Sequence, residues 1–536
     1  MLPHKIHYHI FLLGTVMLVV GLPLSPFLLS VSIMLLSLNY VVETISFSGD
    51  WSLFHEKWAI LKSRKSILLM VSIYIVHVIW LFNTIDFNYA LRDLKIKLPF
   101  LALPIIYGTL PPLSKKHFNG IIQIFVGSVL VSTLITTYVL LGYSWLDQVD
   151  FRSASLFISH IRFSLLVVLS IHGLFYMTFL CKNSMPGYQK TGYILLMIWF
   201  VCFLVLLQSF TGIVIFLLLL PVLVFWYSYK TGSKKWIISS YIFVILLICG
   251  VTGYTTLCFK RFHIIHDSGN LALDKTTING NSYIHHPETE EYENGYKIWI
   301  NISERELQKG WNERSTFTYI GLDRKGQSIR STLIRYMTSM GLRKDSLGLT
   351  QLGQDDIQMI EKGYTNYLYK NRFALYPRIY ELLWEMNRYK KTGDPSGQSL
   401  GQRIEYLKTA FHIIKRHFWL GTGTGDVKME FSVQYEMDKS LLQYEWRNRT
   451  HNQLITFVVT FGIIGFLWIV FALFAPPILE KKYTHYLFTI FFLIGILSML
   501  NEDTLETQAG ASFFAFFYSF FLYSTSNDNE AGTSET

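Results

Sequence analysis

The stretch RNRTHNQLITFVVTFGIIGFLWIVFALF, residues 447–474, joins a polar segment directly to an apolar run. The run from Leu454 onward carries no charged residue and is long enough to cross a bilayer, which takes about 20 residues. Its first turn nevertheless holds His451, Asn452 and Gln453, which a lipid-facing helix end does not need. The stretch therefore predicts a membrane helix whose polar first turn has either an anchoring or a functional role.

The composition of the whole chain agrees with a membrane protein. Of its 536 residues, 51% are hydrophobic and only 16% are charged, against about 25% charged residues in soluble proteins. Most charges fall in one central block, which predicts a large insertion outside the membrane. Many of the Lys and Arg residues behind the net charge of +10 lie in short connectors between apolar runs, so we expect membrane lipid rather than nucleic acid as a partner.

Apolar stretches predict an all-α polytopic fold with roughly twelve transmembrane helices. The predicted spans are 8–23, 25–42, 66–84, 97–111, 118–142, 156–180, 192–208, 210–228, 236–255, 452–475, 486–502 and 509–524. The predicted domains are an N-terminal bundle of about nine spans (1–255), a large, mainly helical loop (256–450), a C-terminal bundle of about three spans (451–524) and a disordered cytoplasmic tail (525–536).

The distribution of Lys and Arg predicts the orientation of these spans. Basic connectors alternate with connectors that hold almost no basic residues, which places the N-terminus in the cytoplasm and the large loop in the periplasm of a bacterial inner membrane. The stretch ALRDLKIK, residues 90–97, is the exception among the short loops, and we expect it to lie along the membrane interface.

Within the large loop, the stretch SLGQRIEYLKTAFHIIKRHF, residues 399–418, predicts a helix whose apolar face carries Leu400, Ile404, Leu407, Phe411 and Ile414. The glycine-rich GTGTGD that follows, residues 421–426, comes after a helix and lacks the Lys-Ser/Thr ending of a phosphate-binding loop, so it predicts a turn between two helices. The stretch HHPETEE has no metal-ligand spacing, and we predict neither a metal site nor a cofactor.

Arg162, in SHIRFSLLVV, lies a few residues inside the predicted sixth span. A guanidinium at that depth costs about 2.5 kcal/mol or more unless it is paired or lines a cavity. Arg162 is therefore a candidate for binding an anion, unless the span begins one turn later.

Other polar residues cluster at the same predicted face of the membrane. Arg449, His451 and Asn452 begin the tenth span, and NEDTLETQAG follows the eleventh with the acidic residues Glu502, Asp503 and Glu506. Arginine forks match phosphate oxygens, and a neutral histidine can accept a proton from a hydroxyl. Interfacial anchoring for His451 and structural ion pairing for the acids remain open alternatives on chemistry alone.

Four stretches carry a resemblance to the O-antigen ligase family of bacterial envelope glycosyltransferases, and the resemblance extends over most of the chain. They are RTHNQLITFVVTFGIIGF, QRIEYLKTAFHIIKRHFWLGTGTGD, HIRFSLLVV and LNEDTLETQAG, the last two being similar to the Bacteroidetes version. The resemblance implies that Arg403 contacts a diphosphate and that His451 is the base or orients it. Family members often carry a Ser-Arg pair at the outer start of a span, where this chain has Ser209 and Phe210. We expect Arg162 to supply the missing charge.

The function implied by the resemblance is a metal-independent, inverting transfer of a glycan from undecaprenyl diphosphate to a hydroxyl of lipid A-core on the periplasmic face. His451, Arg403 and Arg162 are the predicted catalytic residues, with Arg449, Asn452, Glu502, Asp503 and Glu506 binding substrate. An O-antigen polymerase and a protein O-oligosaccharyltransferase, which use the same donor, are the alternatives. A transporter of lipid-linked glycans is disfavoured because the apolar runs hold few polar residues at mid-depth.

Overall fold

The computed structural model describes residues 4–45, 51–143, 155–181, 185–266, 273–371, 374–397 and 399–525. Residues 526–536 of the predicted tail lie outside this range. The chain divides into two compact units, Met1–Val244 with Asp394–Thr536, and Ile245–Gly393. The last part of the predicted loop, from Asp394 onward, thus belongs to the same unit as most of the apolar helices.

The first unit consists of helices from both ends of the chain. Its N-terminal helices are α1 (His4–Leu24), α2 (Pro26–Thr44), α3 (Ser52–Ser63), α4 (Lys65–Ile79), α5 (Phe87–Lys97), α6 (Pro99–Thr109), α7 (Lys115–Tyr143), α8 (His160–Phe175), α9 (Gly187–Leu207) and α10 (Phe210–Thr231). Helix α11 (Lys234–Phe262) begins in this unit and ends in the second. The C-terminal helices are α17 (Ser399–Arg416), α18 (Val427–Met437), α19 (Gln453–Leu479), α20 (Tyr486–Met499) and α21 (Gln508–Tyr523).

Nine helices among the described residues are long and apolar enough to cross a membrane. They are α1, α2, α4 with the 3₁₀ turn Trp80–Asn83, α7, α8 with the π-helical turn Tyr176–Leu180, α9, α10, α11 and α19. The other three predicted spans correspond to shorter helices, α6, α20 and α21, of 11, 14 and 16 residues. The prediction of an all-α, multi-pass membrane fold is confirmed.

Helix α8 lies at the centre of the first unit. Every residue from Phe163 to Phe175 is buried, and the helix packs against α7, α9, α10 and α20. Helix α21 is likewise buried from Gly510 to Tyr523 and packs against α6 and α20. The first three residues of α8, His160 to Arg162, are half-buried at the end of this buried stretch.

Helix α19 is broken at Gly462. This residue has φ 63° and ψ −172°, a backbone conformation that residues with a Cβ rarely adopt. The chain after α17 fills the break, with backbone N–H groups of Thr422 and Gly423 donating to Val459 and Thr460 and that of Ile463 donating to Phe418, all at 2.9 Å. The break thus gives α19 a separate N-terminal segment, and the chain that follows α17 is hydrogen-bonded to the helix at the break.

The GTGTGD turn joins α17 to α18, as predicted, and is also packed into the helix bundle. A Cβ on Gly421 or Gly423 would lie within 2.4 Å of neighbouring backbone atoms, so only glycine fits. Asp426 ends the turn and accepts hydrogen bonds from the backbone N–H groups of Ile85 and Asp86, each at 2.8 Å. These contacts fix α17 to the 3₁₀ turn after α4 and to the start of α5.

The predicted apolar face of α17 is partly wrong. Phe411 is 54% exposed, whereas Tyr406, Ala410 and Ile413 are buried. The helix packs against α18 and α19, which lie on that second face.

The second unit is small and mainly helical. Its elements are β1 (Tyr292–Glu293), β2 (Tyr296–Lys297), α12 (Glu304–Arg314), α13 (Ile329–Ser339), α14 (Ser346–Thr350), α15 (Gln354–Glu361) and α16 (Leu375–Thr392). The two strands form an antiparallel hairpin around Asn294 and Gly295, which both have positive φ, as an Asn-Gly turn requires. Trp311 and Tyr336 are fully buried in its core.

Candidate active site

Three segments of the first unit meet at one end of its helix bundle. They are the first turns of α17, the chain from Arg447 to Gln453 before and at the start of α19, and the turn between α20 and α21. We call the last of these, residues 500–507, the acidic turn. It contains the 3₁₀ turn Thr504–Glu506 and the three acidic residues singled out in the sequence.

Arg403, in the second turn of α17, is bound to the acidic turn. Its Nη2 lies 3.1 Å from Oε1 of Glu502, and its Nη1 donates to the side chain of Asn501. Asn501 in turn donates to Thr211 at the start of α10, with a distance of 2.8 Å. The arginine side chain remains 31% exposed, so an anion can reach it.

His451 immediately precedes the N-terminal cap of α19. Its φ of 50° is in the left-handed region, which costs a residue other than glycine about 1–3 kcal/mol. The cap itself is Asn452, whose Oδ1 accepts from the N–H of Ile455 at 3.1 Å. The imidazole is 38% exposed, with Nδ1 3.8 Å from Oε2 of Glu502 and the ring 5.5 Å from that of Tyr406.

Glu502 therefore lies between two predicted catalytic groups, with one oxygen facing Arg403 and the other facing His451. A carboxylate next to Nδ1 favours the tautomer in which Nε2 is free to accept a proton. This arrangement is suited to holding a histidine that acts as a base. Asn452 is tied to the same turn by its Nδ2, which donates to the carbonyl of Leu500 at 2.9 Å.

Asp503 is more deeply buried than Glu502. Its Oδ1 accepts a hydrogen bond from Thr456 Oγ1 at 2.7 Å. Burial raises the pKa of the Asp503 carboxyl above its usual range, despite the nearby charges of Arg449 and His451. Burial thus disfavours the charged form of Asp503, which lies near the partly exposed His451.

Glu506 is the centre of a buried ion cluster. Its Oε2 accepts from Nη1 of Arg449 at 2.9 Å, and its Oε1 accepts from Nε2 of Gln453 at 2.9 Å and from Nζ of Lys97 at 3.1 Å. Lys97 also binds Asp93, one turn earlier on α5, at 3.1 Å. Burial alone would raise the pKa of Glu506, but the charges of Lys97 and Arg449 outweigh it and hold that pKa well below its usual range.

Arg162 lies in the first turn of α8, beside a small cavity of about 10 Å³, roughly the size of one water molecule. The cavity is otherwise lined by apolar residues of α1, α8 and α21, by Ile158 before α8 and by Thr504 of the acidic turn. The Nε atom is buried and has no hydrogen-bond partner among the described residues. The negative charges of Glu502 and Asp503 act on its guanidinium group.

The start of α10, where the resemblance led us to look for an arginine, is close to Arg162. Ser209 caps α10 and donates to Ser164 Oγ on α8 at 3.0 Å. A Cβ on Gly212 would lie 2.4 Å from Ser164, so the two helices touch here. Phe210 itself is 53% exposed.

The structure thus brings the predicted residues to one end of the first unit, and it adds others that the sequence analysis did not identify. Lys97 and Asp93 belong to the stretch ALRDLKIK, which we expected to lie along the interface. Both are buried in the ion cluster, while Leu91 of the same helix is 52% exposed. In the sequence, Lys97 could be recognised only because its stretch, ALRDLKIK, departs from the alternation of basic and non-basic connectors.

No group of three or more His, Cys, Asp or Glu side chains suited to a metal ion occurs within the described ranges. In HHPETEE of the second unit, His286 Nδ1 lies 3.3 Å from Glu288 Oε1, and both side chains are exposed. His285 is engaged separately, with its Nδ1 accepting from the N–H of Asn301 at 3.1 Å.

Comparison with known families identifies the class of protein. A family model described as O-Antigen ligase matches residues 194–470, just over half of the chain, from α9 into α19. A comparison with curated proteins finds no match. The matched region includes Arg403, the GTGTGD turn and His451, and family members act on lipid-linked glycans in membranes. This multi-pass membrane protein therefore belongs to the O-antigen ligase family, and its activity is that of a ligase-like or polymerase-like glycosyltransferase.

Proposed function

We propose that this protein transfers a glycan from undecaprenyl diphosphate to a hydroxyl group of lipid A-core, on the periplasmic face of the inner membrane. The observation that carries the proposal is the position of Glu502 between Arg403 and His451, with Arg162 within electrostatic range of the same carboxylate. Arg403, which would bind the diphosphate, and His451, which would accept the proton, thus share Glu502 as a partner.

Arg162 and Arg403 are assigned to the diphosphate. Arg403 pairs with Glu502 at 3.1 Å, longer than the 2.9 Å contact of Arg449 with Glu506, and Arg162 is only within electrostatic range of Glu502. A diphosphate carries more charge than one carboxylate and offers oxygens to both arginines, so it competes well for them. The arginines would neutralise the leaving group without a metal ion.

His451 is assigned to the acceptor. The acceptor hydroxyl oxygen attacks the anomeric carbon of the donor sugar, and the bond from that carbon to the diphosphate oxygen breaks. The hydroxyl proton passes to Nε2 of His451, and undecaprenyl diphosphate leaves with the bond electrons. Attack opposite to the leaving group inverts the anomeric centre. Glu502 stabilises the imidazolium that forms.

The test is the surface glycan of a deletion strain that expresses His451→Ala. We expect the variant to be inserted at normal abundance and to leave no detectable glycan attached at the cell surface, because no group replaces the base. His412→Ala is the matched control, since His412 lies on α17 but pairs with Asp438 instead of the acidic turn.

The glycan that accumulates distinguishes the two kinds of activity. Unattached lipid-linked chains of normal length indicate a ligase, whereas lipid-linked single repeat units indicate a polymerase and contradict the proposed acceptor. Wild-type transfer by His451→Ala at normal abundance would refute the assignment of His451.

A further inference from the structure

Arg449 and Glu506, which the sequence predicts to bind substrate, are hydrogen-bonded to each other in a buried cluster that has no task in the transfer proposed above. It contains two positive and two negative side chains, Lys97, Arg449, Asp93 and Glu506, with hydrogen-bonded neighbours at 2.9 to 3.1 Å. Lys97 is 1% exposed, and burying a lysine in a membrane protein is costly unless its partners are well placed.

Glu506 holds the segment that contains His451 at both ends. Arg449 lies two residues before the histidine and Gln453 two residues after it, and both donate to the same carboxylate. Gln453 also accepts from the backbone N–H of Leu505 at 2.8 Å, which ties it to the acidic turn a second time.

The segment between these two ends is tightly bent. His451 is in the left-handed conformation, and the neighbouring Thr450 side chain is buried and contacts Thr456 Oγ1 at 2.8 Å. A histidine released from this bend would relax to an ordinary backbone conformation. The imidazole would then move away from Glu502 and Tyr406.

Lys97 anchors the cluster to helix α5. It donates to Glu506 from α5, and α5 is fixed in turn through the N–H groups of Ile85 and Asp86, which bind Asp426. The position of Glu506 is therefore set by α5 as well as by the turn that contains it.

From these contacts we infer that Glu506 and Lys97 are positioning residues, which hold the Arg449–Gln453 segment so that His451 faces Glu502. This inference rests on the proposed role of His451. It also assigns a function to Lys97 in the stretch ALRDLKIK, the short connector that departs from the alternation of basic and non-basic connectors. Neither residue is expected to touch the reacting atoms.

The experiment uses purified full-length protein in lipid nanodiscs, with the undecaprenyl diphosphate-linked glycan extracted from the deletion strain as the donor. Glu506→Gln keeps the shape of the side chain, and Lys97→Met keeps most of its volume. For each variant we expect kcat to fall about 10- to 100-fold while KM for the donor changes little, because a displacement of about 1 Å in a reacting group has an effect of that size.

A purely structural role is tested by a matched ion pair at a different place in the unit. Glu480 pairs with Arg64 at 2.7 Å and accepts from Ser66, and Glu480→Gln should lower thermal stability comparably without changing kcat in the protein that remains folded. If Glu480→Gln and Glu506→Gln reduce kcat equally, the positioning role is refuted.

A double-mutant cycle separates this inference from the proposed function. If Glu506 acts through His451, adding Glu506→Gln to His451→Ala causes no further loss of the residual kcat that purified His451→Ala shows over long reaction times. Independent, multiplicative losses would refute the inference and leave the role of His451 intact. Full activity of His451→Ala would refute both, whereas full activity of Glu506→Gln and Lys97→Met would refute the inference alone.

Discussion

Replacing Gly462 with alanine is expected to destabilise the first unit and to reduce transfer, although Gly462 lies away from the acidic turn. The residue forms the break in α19 with φ 63° and ψ −172°. An added Cβ would lie 2.3 Å from the carbonyl carbon and oxygen of Trp419, which are backbone atoms and cannot rotate away.

Two terms contribute to the free-energy cost of Gly462→Ala. Placing a residue with a Cβ in this region of φ and ψ costs about 1–3 kcal/mol, and forcing an extra methyl group into packed surroundings costs about 1–3 kcal/mol more. The sum, about 2–6 kcal/mol, is comparable with the hydrogen bonds that hold the 418–423 segment in the break. We therefore expect this segment to leave the break and the link between α17 and the N-terminal part of α19 to loosen.

The assay is thermal unfolding of the detergent-purified variant, followed by loss of the monodisperse peak in size exclusion, together with glycan transfer in the deletion strain. Gly127→Ala is the control, because a Cβ at Gly127 in α7 meets no atom within 4 Å. If Gly462→Ala unfolds at the same temperature as Gly127→Ala and transfers glycan normally, the break does not need glycine and the reasoning is wrong.

Two further variants should separate stability from activity. Because burial raises the pKa of Asp503, the folded protein holds the carboxyl proton more tightly than the unfolded chain does, and the associated stability is lost as pH rises through the folded pKa. Asp503→Asn should therefore unfold at a higher temperature than wild type at pH 7, and the difference should shrink as the pH is lowered toward 4. A difference in unfolding temperature that stays the same across this range would contradict the prediction. Arg162→Met should remove a buried, unpaired nitrogen and stabilise the protein by about 1–3 kcal/mol, while raising KM for the lipid-linked donor tenfold or more, because a hydrogen bond to a charged group contributes about 1.5–3 kcal/mol. A lower unfolding temperature with an unchanged KM would remove Arg162 from the diphosphate site.

The sequence was sufficient to predict which residues lie near each other at this end of the unit. Each of His451, Arg162 and Glu502 stands at the end of an apolar run, and runs that alternate in direction bring every second connector to the same face. Arg403 could be placed there only through the family resemblance, because nothing in its own helix specifies where that helix docks.

The ion cluster and the break in α19 could not be predicted in this way. Lys97 and Glu506 are 409 positions apart, and no periodicity in either segment specifies their pairing. The apolar face of α17 was partly wrong for the same reason, since Phe411 fits a helical stripe but α18 and α19 pack on the neighbouring face. The glycines of the GTGTGD turn indicate a turn in the sequence, but the backbone segments against which they pack are distant in the chain and could not be predicted.

The arrangement of helix ends around the acidic turn has a consequence for how the site attracts a diphosphate. Helix α8 begins two residues before Arg162, α10 begins beside Asn501, α19 follows Asn452, and α21 follows the turn itself. The aligned peptide dipoles of a helix place about half a positive charge at its N-terminus. Four such ends lie around one short turn, so part of the positive potential belongs to the backbone. No single arginine substitution removes that part, and the site should keep some affinity for a diphosphate when Arg162 or Arg403 is neutral.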